Sequence, residues 1–262
     1  MRFITVCVVV CAALAVSRPA QAQDSFADAF WQFRASSGFD FSTGTYGAPK
    51  HTEILYIPVT AQAAKGPWTL KVVAPWIRVS GPALLLDGSA EGSVGLRTSG
   101  AASGLGDVNF SATYSLESLY AYGLYVDLTA RAKAPTASYA QGLGTGAWDG
   151  TFQMDIAKTW GDFMPFGNIG YRVTGQPKTF PLRDVFFGSV GLQYTWSEIV
   201  TTGISYEARR AAIKAAAAPQ EGTLYINLRL AQDWSLNTYG VAGFSRNSPS
   251  AGGGMIVTYR WR

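Results

Sequence analysis

The chain contains one histidine, His51, set between Lys50 and Thr52. A single imidazole excludes histidine pairs and multi-histidine metal sites. A serine–histidine nucleophile pair, as a membrane-embedded esterase or phospholipase would need, must sit on a rigid wall. His51 falls instead in a short polar loop, Gly47–His51, and reads as a solvated loop residue. The glycine runs Gly104-Leu105-Gly106 and Gly142-Leu143-Gly144-Thr145-Gly146 lack the Lys-Ser/Thr and the following helix of a phosphate loop. They read as loop-to-strand hinges. Both cysteines, Cys7 and Cys11, lie in the apolar N-terminal run. The residues therefore point away from an enzyme, with no cofactor and no metal. What remains for chemistry is charge, and the charges recur with period two.

The stretch 106–133, GDVNFSATYSLESLYAYGLYVDLTARAK, shows this. Val108, Phe110, Ala112, Tyr114 and Leu116 alternate with Asp107, Asn109, Ser111, Thr113 and Ser115. After a turn, Tyr120, Tyr122, Leu124, Val126, Leu128, Ala130 and Ala132 alternate with Asp127, Thr129, Arg131 and Lys133. Period two makes two strands with one apolar and one polar face. In a soluble sandwich the apolar face covers a core. In a membrane barrel it meets lipid, and the polar face turns inward.

Stepping along the chain gives twelve strands: about 36–46, 52–63, 68–80, 106–116, 119–134, 146–160, 163–174, 183–196, 200–209, 221–231, 234–245 and 253–261. Their connections alternate. Short turns fall at 65–67, 117–118, 161–162, 197–198 and 232–233, and longer loops fall between them. Short turns on one rim and long loops on the other is the arrangement of an outer-membrane barrel with both ends periplasmic. Pro75 has no N–H for the ladder, so a bulge or register slip is expected beside it. The segment 25–34 reads as a periplasmic helix or a lead-in to the first strand. The longest loop, 81–105, reads either as a mobile surface loop or as an inward constriction.

Tryptophans mark the rims. Trp68, Trp160, Trp196, Trp234 and Trp261 flank short turns or the chain end, and Trp76 and Trp148 flank long loops. Indole prefers the headgroup zone, whereas core aromatics would gather mid-strand. Residues 1–22 read as a secretory signal, with Arg2, the apolar run from Ile4 to Val16 and the Ala20-Gln21-Ala22 cleavage site. Residues 23–262 then form the barrel. Of 21 basic residues, Arg2 and Arg18 leave with the signal, so 19 stand against 17 acidic ones. That balance does not favour nucleic acid. The expected partners are membrane lipid and a small solute.

Parity places one set of charges inside. Asp40 and Lys71 come from the first and third strands. Asp107, Asp127, Arg131, Lys133, Asp149 and Asp155 come from the fourth to sixth, and Arg172, Glu207, Arg209, Arg229 and Arg260 from the seventh to twelfth. Facing lipid, Arg or Lys would cost about 2–4 kcal/mol at midplane. Twelve strands tilted by about 40° give a backbone diameter of roughly 24 Å. Side chains leave on the order of 10 Å, enough for a narrow channel lined by these charges. One wall leans acidic and the other basic, and the near balance predicts weak ion selectivity. A turn centred near Glu117 makes Asp107 and Asp127 cross-strand neighbours, with Arg131 as their partner.

DVNFSATYSL, LYVDLTARAKAPT, GLGTGAWDGTFQMDIAKTWGD, FGNIGYRVTG, LRDVFFGSVGLQY and the closing GGGMIVTYRW resemble an outer-membrane family of meta-pathway phenol-degradation transporters. The resemblance runs from about Gly38 to Trp261. It implies a β-barrel in the bacterial outer membrane and uptake of small organic, including aromatic, compounds. The family supplies no functional residues to transfer. The competing readings are a non-conducting structural or adhesive barrel and, further off, a membrane-embedded esterase.

Overall fold

A computed structural model describes residues 30–82, 100–177 and 181–262. The expected signal, residues 1–22, lies outside them, as does most of the 81–105 loop. The described chain forms β1 (Gln32–Gly44), β2 (Thr52–Lys65), β3 (Trp68–Ser80), β4 (Ala101–Leu105), β5 (Val108–Ser115), β6 (Leu124–Ala134), β7 (Asp149–Lys158), β8 (Phe163–Val173), β9 (Val185–Thr195), β10 (Val200–Arg209), β11 (Gln220–Arg229), β12 (Trp234–Gly243) and β13 (Ala251–Trp261). Each strand pairs antiparallel with its sequence neighbours, and β1 pairs with both β2 and β13. The sheet therefore closes on itself and leaves no edge. β4 and β5 both pair with β3 and are two halves of one staved position, so the ring is a twelve-stranded antiparallel barrel. No helix among the described residues is long and apolar enough to cross a membrane.

The break between β4 and β5 sits where Pro75 predicts it. Val73 pairs with Asn109 and Trp76 with Leu105. Two residues of β3 thus face three, Gly106, Asp107 and Val108, which is a bulge. The Gly106 N–H donates to the Pro75 carbonyl at 2.8 Å. A Cβ on Gly106 would meet Ile77 Cδ1 at 2.5 Å and Pro75 Cγ at 2.9 Å, so any side chain there must displace Ile77. The extra residue switches the parity. Leu105 is exposed on the outward face before the bulge, and Phe110 after it.

Two sequence expectations are corrected. Segment 25–34 reads in the sequence as a periplasmic helix or a lead-in to a strand starting at 36, but β1 already begins at Gln32, so Arg34 is a wall residue. The chain around 119–122 is not strand. Glu117–Tyr122 forms a 3-10 helix, ended by Gly123 at φ 65°. Glu, Ser and a run of Tyr around one glycine satisfy their backbone groups locally, and the turn grows to eight residues. That moves the register. Asp127 pairs with Ser115 on β5, not with Asp107.

Alternation sorts the faces. Along β11, Leu224 and Ile226 are exposed while Thr223 and Tyr225 are buried. Val190, Ile204, Phe152 and Ile169 are likewise exposed large apolar residues. Trp68, Trp160, Trp196, Trp234 and Trp261 all stand exposed at the short-turn rim, joined there by Trp31. Phe33, Trp261 and Tyr259 stack along that rim with centroids 5.8 and 5.7 Å apart.

Inside, aromatic rings lie flat along the wall. A Cβ on Gly170, Gly191 or Gly203 would fall within the ring of Phe187, Phe166 or Tyr225 on the next strand. A Cβ on Gly254 would meet Tyr239 Oη at 2.5 Å. The glycines are the slots that let the rings fold down. Gly203→Ala should therefore lift the Tyr225 ring toward the lumen and destabilise by about 1–3 kcal/mol through overpacking. Gly240→Ala faces open space on the outward side and should be nearly neutral. Urea titration of the two refolded variants checks this; equal midpoints would remove the slot role.

Candidate functional site

The lumen divides into two halves. Toward the long-loop rim it is filled. Lys133 is the hub there: its Nζ lies 3.0 Å from Asp107 Oδ2, 3.1 Å from Asp149 Oδ2 and 2.9 Å from Thr145 Oγ1. The same carboxylates hold the loops. The Ala137 N–H donates to Asp107 Oδ1 at 3.0 Å, and the Gly175 N–H to Asp149 Oδ1 at 2.8 Å. The bulge aims Asp107 into this network. Loop 135–148 is thereby drawn inward. Leu143, 1% exposed, and Ala137 pack with Tyr46 against Ile54, Tyr56, Ile77 and Val79. The part of 81–105 expected as a constriction instead supplies strand β4 at its end, and residues 83–99 lie outside the described chain. The inward-folded loop is the next one.

Further round the wall, Arg209 reaches Glu207 at 3.0 Å and Glu221 at 3.4 Å. Tyr239 donates to Asp40 at 2.6 Å across the β12–β1 side of the barrel. Glu221 is fully buried and faces in; it shares the parity of Thr223 and Tyr225 within the expected tenth strand, 221–231, so the alternation already placed it inside. Asp184, in the loop before β9, accepts from the Thr174 N–H and from the Tyr171 hydroxyl, both at 2.9 Å. Those donors, the backbone one first, hold its carboxyl below the usual carboxylate range.

Toward the short-turn end of β6 and β7, Asp127 and Asp155 are direct cross-strand partners. Gln153 donates to Asp155 Oδ1 at 2.7 Å, and Asn168, opposite Asp155 on β8, donates to Ser189 at 2.7 Å. The expected Asp107–Asp127 contact is thus replaced by an Asp127–Asp155 one, and Asp107 belongs to the Lys133 hub. Arg131 and Arg172 are buried on the same inward face.

Toward the short-turn rim the inward side chains regain water. Arg34 and Arg260 are cross-strand partners on β1 and β13, and both are half-buried. Arg229 ends β11, exposed, opposite Ser235. Of the three, sequence parity gave Arg229 and Arg260; Arg34 was missed because its strand was started too late.

No family model and no curated protein matches the chain. Solved structures do. The KdgM porin aligns with a TM-score of 0.54 at 8% identity, covering 87% of this chain and 99% of that one. The same porin in complex with disordered oligogalacturonate gives 0.51 at 8% identity, over 88% and 99%. The fold is that of an outer-membrane β-barrel. The translocator domain of the autotransporter NalP from Neisseria meningitidis also aligns, at 0.50 and 9% identity, over 98% and 95%. At such identities the likeness is one of fold alone.

As for chemistry, His51 is exposed in the loop between β1 and β2, and among the described residues no serine hydroxyl hydrogen-bonds its ring. No group of three His, Cys, Asp or Glu among the described residues could hold a metal ion.

Proposed function

We propose that the protein is an outer-membrane channel for passive passage of small organic solutes, aromatic ones among them. In this reading residues 1–22 direct export, 23–262 form the barrel, and the short-turn rim is periplasmic. The observation that carries it is the sorting of faces in a closed ring: large apolar side chains exposed outward round the wall, and most of the charged and amide side chains of the strands turned inward. Lipid takes the first and water the second. The ring slots at Gly170, Gly191, Gly203 and Gly254 support it further. Aromatic rings folded flat narrow the lumen less than rings pointing to the axis.

The burial of most inward charges, with Leu143 seated among them, favours a second reading: a filled, non-conducting barrel. Planar-bilayer recording of the refolded protein separates the two. The channel reading expects discrete unit conductance, in the parent or after loop 135–148 is released by Lys133→Met. Silence from both proteins decides for the filled barrel.

A further inference from the structure

We infer that the β2–β3 hairpin is a lateral gate, through which an uncharged apolar solute passes between the lumen and the lipid. Pro58 and Pro75 are direct cross-strand partners in the middle of the hairpin. Neither has an N–H to give. The pair therefore holds a ladder position that exchanges no bonds between β2 and β3, and each proline turns its missing donor to the strand on its other side. The register shows both losses. Between β1 and β2, pairing runs to Ser37 with Val59, skips Gly38 and Phe39 opposite Pro58 and Ile57, and resumes at Asp40 with Tyr56. On the far side of β3 it skips Ala74 and Pro75 at the Gly106 bulge. Every other pairing among the described strands runs unbroken. Because the prolines are partners, the two interruptions lie at one level of the wall. The hairpin is fastened to itself there and loosely to its flanks, where the Gly106 N–H to Pro75 carbonyl bond bridges the bulge. Local opening follows such gaps.

The panel between the interruptions is apolar on both faces. Residues 54–59, ILYIPV, and 72–77, VVAPWI, carry no charge. Val59 and Val72 are exposed toward lipid, and Tyr56 and Ile77, 1% and 4% exposed, face in. A wall strand with water on its inner side alternates; an unbroken apolar run marks apolar surroundings on both sides. The acids beside the seams are tied to the flanking walls. Asp40 accepts from Tyr239, and Asp107 holds Lys133 and the Ala137 N–H. Parting a seam therefore draws no charged side chain of the panel into hydrocarbon.

Burial of Tyr56 and Ile77 is that of a gate at rest. Leu143, from loop 135–148, packs in the same apolar cluster and fills the inner side. A solute in passage takes the place of that apolar side chain, which sets its class: small, uncharged and hydrocarbon-like. A carboxylate or a sugar would have to shed its water at a wall with nothing to replace it.

Entry of the solute from water rests on the channel reading above, whereas the gate itself is measured without conductance. In a chain carrying Cys7→Ser and Cys11→Ser, the pair Phe39→Cys, Ile57→Cys places two thiols opposite each other across the interrupted β1–β2 seam, within reach of a disulfide that staples it shut. Ile204→Cys with Leu224→Cys staples the unbroken β10–β11 seam as a control. A phenyl diazirine, an uncharged photoreactive aromatic, is dissolved in the liposome bilayer around the refolded protein, and its insertions are located by mass spectrometry. Val59 should be labelled throughout. Tyr56 and Ile77 should be labelled in the parent, lose the label when the β1–β2 pair is oxidised, regain it on reduction, and keep it in the oxidised control. Inward label that is absent from the parent, or that survives the staple, overturns the gate. Hydrogen exchange supplies a second reading: segments 37–40 and 73–76 should exchange faster than 203–206, and equal protection overturns the gate as well. Ion conductance runs along the axis and should not change with the staple; a silent bilayer beside staple-sensitive labelling overturns the channel reading alone.

Discussion

Lys133→Met should destabilise the folded barrel by about 3–5 kcal/mol, the cost of removing one partner from a buried ion cluster. Lys133 is 4% exposed, and both carboxylates it touches, Asp107 and Asp149, are as deeply buried. Methionine keeps the volume but leaves two carboxylates facing each other with no cation. Relief comes from water or from a proton shared by the pair, and water enters only if the loop lifts. The Ala137 and Gly175 backbone N–H groups held by the same carboxylates would let go, and Leu143 would leave its seat against Tyr56 and Val79. The expected outcome is a lowered urea midpoint together with proteolytic sensitivity in 135–148. The triple variant Lys133→Met, Asp107→Asn, Asp149→Asn removes the stranded charges and should recover much of the midpoint while the loop stays loose. A midpoint for Lys133→Met within 0.5 kcal/mol of the parent would mean that the network is decoration on a mouth closed by apolar packing alone.

Ile226→Arg should impair insertion by about 2–4 kcal/mol, while Asn227→Arg should be tolerated. The two residues are neighbours on β11, so chain position, turn chemistry and folding order are shared. Only the face differs. Ile226 is an exposed outward residue, and a guanidinium there must sit in hydrocarbon. Asn227 is half-buried on the inward face, where Asn237 donates to it at 2.5 Å. An arginine there loses that hydrogen bond but gains a polar lumen beside Arg229. The yield of heat-resistant folded protein after refolding into liposomes reads the difference. Equal losses at both positions would show that the outward face is not in lipid.

Strand number, strand faces and the rim order were all legible before any coordinates. The ranges of β3, Trp68–Ser80, and β10, Val200–Arg209, match the pattern residue for residue, because glycine or short polar turns bound both, even though the alternation of β3 is irregular around Pro75. Pro75 announced the bulge, since a missing N–H is a fact of covalent structure. Errors gathered where local chemistry allowed more than one register. Leu119–Tyr122 has the alternation of a strand, yet folds as a 3-10 turn, because six consecutive residues can satisfy their own backbone groups there and Gly123 can close the turn. That one element displaced Asp127 from Asp107 to Asp155.

Alternation by itself determined which side chains face the lumen, because the strand period is two whatever the partners are. It could not determine which of those side chains touch water. That depends on how loops return over the mouth and on which residues meet across strands far apart in sequence, such as Tyr239 and Asp40. Only the tertiary structure decided that Lys133 binds loop 135–148 inward, that the acids are sealed, and that three arginines at the short-turn mouth are not. The sequence carries charge as a sum over residues. Solvent access is a property of the closed ring, so the sign of the wetted wall appears only when the barrel closes.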